Sequence, residues 1–111
     1  MDLMSDVETH EPDQEEYHPL PPPASFAFFV LSLRAQCEMQ LGLMPFGGEE
    51  KAEPELAMAR HTIDLMGILL EKTKGNLTLE EQRLLENSLT ELRFRFVQVS
   101  DQAAQAAAQK A

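Results

Sequence analysis

Lys72-Thr73-Lys74-Gly75-Asn76-Leu77-Thr78-Leu79-Glu80-Glu81 holds the end of one helix, a tight reversal and the start of another. Lys72 and Lys74 suit the negative end of a helix dipole, and Gly75 suits the left-handed residue that closes a helix. Thr78 and Glu81 stand at the spacing of a capping box, in which each side chain satisfies the other residue's backbone N–H. The segment therefore predicts an α-hairpin. It is punctuation, with none of the residue groupings that a reaction requires.

Working outward, the helix after Thr78 carries Leu85, Leu89, Leu92, Phe96 and Val99 on one face, with Glu86, Asn87, Glu91 and Arg93 elsewhere. Beyond Ser100 the chain is Ala- and Gln-rich, with high helix propensity and nothing large to bury, so 101–111 reads as a fraying helical tail. Before the turn, the second helix is expected to begin at Pro54, since proline is tolerated in a first helical turn, and to end near Lys74. Leu56, Ala59, Ile63, Met66 and Leu70 form its first apolar stripe; Met58, Leu65, Ile68 and Leu69 form a second. The first helix is expected from about Ser25, a candidate N-cap, to about Leu41, with Gly42 as its stop. Phe26, Val30, Leu33, Cys37 and Leu41 share one face, and Phe28, Leu31, Ala35 and Met39 lie nearly opposite. Between these two helices, Pro45, Gly47, Gly48 and a charged run are loop chemistry. Leu43, Met44 and Phe46 within that loop leave two readings, cover for one end of the core or an exposed contact patch. No strand-like alternation and no internal repeat occurs.

The formal charge of −10 is concentrated at the front of the 111-residue chain. Residues 1–23 hold seven acids, Asp2, Asp6, Glu8, Glu11, Asp13, Glu15 and Glu16, and no Lys or Arg. Pro19 and Pro21-Pro22-Pro23 end this stretch, which predicts a disordered acidic and Pro-rich arm over 1–23, either a solubilising tail or a docking motif built on Leu3, Met4, Val7, Tyr17 and Leu20. A helical domain over 24–100 follows. Such a short body is marginal on its own core, so association enters at once.

The same features exclude classes of function. An acidic chain whose nine Lys and Arg are scattered repels phosphate backbones and anionic headgroups, which argues against nucleic acid and membrane as partners. The apolar run from Phe26 is far too short to span a bilayer, and the beginning of the chain is acidic where a secretory signal is basic. With Cys37 alone there is neither an intrachain disulfide nor a Cys-based zinc site; the residue reads as a reduced core filler, the other reading being a reactive or intermolecular thiol. A cytoplasmic protein is expected.

Leu41-Gly42, the segment from Ala59 to Leu65 with Ile63-Asp64-Leu65, the run Glu71-Lys72-Thr73-Lys74-Gly75-Asn76-Leu77-Thr78, then Glu81 and Leu92-Arg93 resemble the bacterial domain of unknown function 1844 family. The resemblance spans roughly residues 26–97. It implies a small helical bacterial protein, often with a variable acidic or Pro-rich leader, and brings no activity, cofactor or partner.

A search for chemistry finds little. His10 and His18 sit among acids in the arm, and His61 turns away from Asp64 on its helix, so no metal site is assembled. Adjacent pairs such as Glu49-Glu50 and Glu80-Glu81 lack the shared desolvated pocket that acid–base catalysis needs. The expectation is a non-enzyme without cofactor. Anion binding by Lys72, Lys74 and the amides before the third helix is the alternative, opposed by Glu80 and Glu81. The leading expectation is an all-α, three-helix domain with a C-terminal α-hairpin, completed by dimerisation, that acts in assembly or protein interaction. Phe28, Leu31, Ala35, Met39, Met58, Leu65, Ile68 and Leu69 are its candidate interface, to a second copy or another protein, because one three-helix layer cannot cover both faces of two helices. Gly75, Thr78 and Glu81 are its structural turn and cap.

Overall fold

The computed structural model describes residues 19–43 and 53–110. The acidic residues expected to form the arm, together with Met44 and Phe46, lie outside these. Three helices follow one another, α1 (Phe26–Gln40), α2 (Leu56–Lys72) and α3 (Leu79–Lys110), with no strand among the described residues. The all-α expectation holds.

Local chemistry sets nearly every boundary. Ser25, in extended conformation, caps α1: its Oγ accepts from the Phe28 amide at 3.0 Å. At the other end Gly42, at φ 81°, closes a Schellman motif in which the Gly42 amide donates to the Met39 carbonyl (3.0 Å) and the Leu43 amide to the Glu38 carbonyl (2.9 Å). Gly75 at φ 85° turns the chain after α2, and the Thr73 hydroxyl donates to the Leu69 carbonyl at 2.7 Å. The capping box of α3 forms in both directions: the Thr78 amide donates to Glu81 Oε1 at 2.9 Å and the Glu81 amide to Thr78 Oγ1 at 3.1 Å.

One boundary differs. Expected from Pro54, α2 begins at Leu56 with Glu55 as its N-cap residue. The cause is tertiary, because the Glu55 amide donates to the Gln40 carbonyl at 2.6 Å and holds Glu55 at φ −107°, ψ 80°, outside the helix. The same bond ties the start of α2 to the end of α1, so the two helices run antiparallel, as α2 and α3 do across the hairpin.

The core is one cluster drawn from all three helices: Val30, Cys37 and Leu41; Ala59, Ile63 and Met66; Leu85, Leu89, Leu92 and Val99. Phe26, Leu33, Leu43, Leu56, Leu70, Leu77 and Phe96 pack around it half-buried. Leu43 thus covers the core. Among the described residues two polar side chains are fully buried, Thr62 and Ser88, and both have partners. Thr62 Oγ1 donates to Gln40 Oε1 at 2.7 Å and joins α2 to α1. Ser88 Oγ accepts from Arg34 Nη1 at 3.4 Å, while Arg34 also pairs with Glu38 on its own helix (3.3 Å) and with Glu91 on α3.

Candidate interaction surface

The helical stripes that do not face this core remain in water. On α1, Phe28, Leu31 and Met39 are 45, 46 and 53% exposed, with Ala35 half-buried between them; on α2, Met58, Leu65 and Ile68 are 48, 43 and 51% exposed. By the helical periodicity of about 100° per residue, Phe28, Met39 and Ile68 lie opposite the core residues of their helices, whereas Leu31, Met58 and Leu65 lie roughly a quarter-turn round. Leu31 is on the side of Arg34 and Glu38 that faces α3, and Met58 and Leu65 are on the side of Thr62 that faces α1. Leu69, which the sequence grouped with them, is half-buried and packs against the core.

Leu69 and Phe29 connect the two stripes. Gln36 Nε2 donates to Thr62 Oγ1 at 3.5 Å, which places these residues opposite one another across the α1/α2 seam. Two turns along each antiparallel helix, seven residues back from Gln36 and seven on from Thr62, stand Phe29 and Leu69. Phe29 is 48% exposed and meets the Phe26 ring edge-on, centroids 6.4 Å apart. The exposed stripes are thus bridged by apolar side chains at one end of the seam and by Gln36 and Gln40 at the other. Sequence reasoning passed over Phe29; its helical phase, seven residues before Gln36, held the signal.

Charge is distributed to the edges of this surface. Arg34 and Glu38 turn toward α3 in the network described above, on the side of α1 that also carries Leu31, while the exposed positions on the α2 side of α1 are the uncharged Phe29, Ser32 and Gln36. Exposed Lys72 stands at one end of α2. Exposed Glu53 and Glu55 stand at the other, around a shallow depression that also includes Ala35 and Met39.

The other candidate residues do not converge. At the hairpin, Lys72 and Lys74 are exposed, and the Thr78 and Glu81 amides are already engaged by the capping box. The cleft beside Lys74 is lined by Glu71 and Glu86 as well as Leu70 and Leu77, which sets carboxylates against any anion. His61, expected to turn away from Asp64, is instead exposed beside it and Arg60, because residues three apart on a helix share a side; no group of three or more His, Cys, Asp or Glu suited to a metal occurs among the described residues. Cys37 is sealed in the core, its Sγ 3.7 Å from the Ala59 carbonyl; burial, helped by the charge of Glu38, pushes its thiol up to about 11. On α3, Phe94 and Val97 are 63 and 56% exposed, a separate and smaller apolar spot that the sequence reading did not single out, although Phe94 lies two positions past the buried Leu92 and so on the opposite side.

No described helix is long and apolar enough to cross a membrane. Comparison with curated proteins finds no match, and comparison with solved structures finds none. The model of one family does match, over residues 23–98, which takes in all of α1, α2 and the hairpin and most of the part of α3 that packs on them. The chain belongs to the family described as domain of unknown function DUF1844.

Proposed function

We propose that this protein is a non-enzymatic, cytoplasmic assembly domain that works through protein contact, as a homodimer or in complex with another protein, using the outer face of α1 and α2. The observation that carries this reading is the set of six large apolar side chains, Phe28, Leu31, Met39, Met58, Leu65 and Ile68, each about half exposed with no charged residue among them. At that exposure they leave roughly 500 Å² of apolar surface in water, within the range of the largest patches on monomeric proteins, which are often functional. The alternative, an anion-binding module at Lys72–Thr78, has no comparable support, since the Thr78 and Glu81 amides are engaged by the capping box and carboxylates line the adjoining cleft.

Introducing Leu31→Glu together with Leu65→Glu provides the test, because charge buried without a partner is costly. In extract of cells expressing the chain at its natural level, the wild type should sediment in a species heavier than 12.5 kDa. The double variant should be released as the free chain. Wild type and variant sedimenting alike as free chain would remove the support for an assembly role.

A further inference from the structure

Resting on that reading, we infer that the occupant of the α1/α2 face is a second copy of this chain, docked about a two-fold axis perpendicular to the helices, with Lys72 of each copy against Glu53 and Glu55 of the other. Three observations carry it. The first is charge. In a contact that pairs one patch with its own copy, any charge near the axis meets its like, so a self-pairing surface must be free of charge at its centre. This one is: Arg34 and Glu38 are drawn to α3, and across the α1/α2 seam the centre of the face is Ser32 and Gln36 on α1 with exposed His61 and Leu65 on α2, none of them Lys, Arg, Asp or Glu.

The second is the sign at the edges. Helix α2 presents Glu53 and Glu55 at its start and Lys72 at its end, all exposed. An axis parallel to the helices would keep both Lys72 side chains at one end of the contact and all the glutamates at the other. An axis perpendicular to them reverses one copy end for end, and brings each lysine to the other copy's glutamates. The third is area. Roughly 500 Å² of apolar surface within the ~800 Å² per partner that a standard interface buries makes an apolar fraction near that of homodimer interfaces.

The experiment uses the purified full chain and multi-angle light scattering across a dilution series, with circular dichroism to confirm helix content. The wild type is expected at twice 12.5 kDa at tens of micromolar. Lys72→Glu should weaken association several-fold, and adding Glu53→Lys and Glu55→Lys to it should restore the wild-type midpoint. Phe94→Glu, on α3, should change nothing. A wild-type mass of one chain overturns the inference; if the extract then still holds the chain in a heavier species lost in the Leu31→Glu, Leu65→Glu variant, the interaction reading stands and only the second copy fails. A dimer dissociated by Phe94→Glu, or one indifferent to Lys72→Glu and not restored by the charge exchange, overturns it equally.

Discussion

Two glycines of α2 and its turn make opposite demands, and substituting alanine at each should move stability in opposite directions. Gly75 sits at φ 85°, and a Cβ there would meet nothing within 4 Å. Alanine is therefore opposed by backbone conformation alone: about 1–2 kcal/mol for an L-residue in the left-handed region. The smaller entropy of the unfolded chain returns roughly 0.4–1 kcal/mol, leaving a net loss of about 1 kcal/mol. Asn, which tolerates that region, should cost less, and β-branched Val more. Gly67 lies inside α2, and its Cβ would come within 3.4 Å of Arg93 Nη2, the far end of a flexible side chain that can give way. Here alanine gains helix propensity, about 0.8–1 kcal/mol. For a body of this size 1 kcal/mol is roughly 4–8 °C in melting temperature. Thermal unfolding followed by circular dichroism, at one fixed protein concentration, should therefore separate Gly67→Ala from Gly75→Ala by about 8–16 °C, twice the single shift, with the wild type between them. Two variants shifted in the same direction would mean that φ at Gly75 or the helical state of Gly67 is misassigned, and the hairpin reading would fall with it.

Thr78→Ala should cost about 0.5–2 kcal/mol by loss of the cap, and a double-mutant cycle with Glu81→Ala should show the two side chains coupled, because each bonds the other's amide; additive losses in chemical denaturation would argue against the box. Thr62→Val keeps the shape of a fully buried side chain but deprives Gln40 Oε1 of its donor, for a loss of about 1 kcal/mol in the same assay; no change would show that the α1/α2 polar pair is not formed. For Cys37 the folded state holds the thiol at about 11 against an ordinary 9.0, so its contribution is complete below pH 9 and is lost as pH rises toward 11. Urea midpoints should fall over that window in the wild type and stay flatter in Cys37→Ala, and thiol labelling at neutral pH should require unfolding; fast labelling of the native chain would contradict the burial.

Where a boundary is fixed by residues a few positions apart, the chain announces it. Ser25, Gly42, Gly75, Thr78 and Glu81 each act on a backbone group within five residues, and all are where the sequence places them. The core stripes are equally legible, because one periodicity decides which side chains can point together. What the sequence hides is contact across long separations. Arg34 looks like one of several scattered bases until α3 brings Ser88 and Glu91 to it, 54 and 57 residues on. Pro54 reads as a helix start because nothing local shows that Gln40 takes the next amide. Of the candidate interface, helical phase places Leu69 next to the exposed stripe, but packing against the core leaves it half-buried.

Helix α3 has 32 residues against 15 and 17 in α1 and α2, so at 1.5 Å per residue it is about 48 Å long where its partners are about 23 and 26 Å. Val99 is the last buried side chain described on it and Ala103 is half-buried, and the turns from Ala104 on project past the bundle as an unsupported rod. A rod on a small body raises hydrodynamic drag without adding mass. On a sizing column a single chain of this shape would elute early, at a volume expected of a larger globule, and sedimentation velocity would show a raised frictional ratio. Apparent size and molecular weight are therefore decoupled in this protein, and only scattering or equilibrium measurements, which do not depend on shape, count its copies.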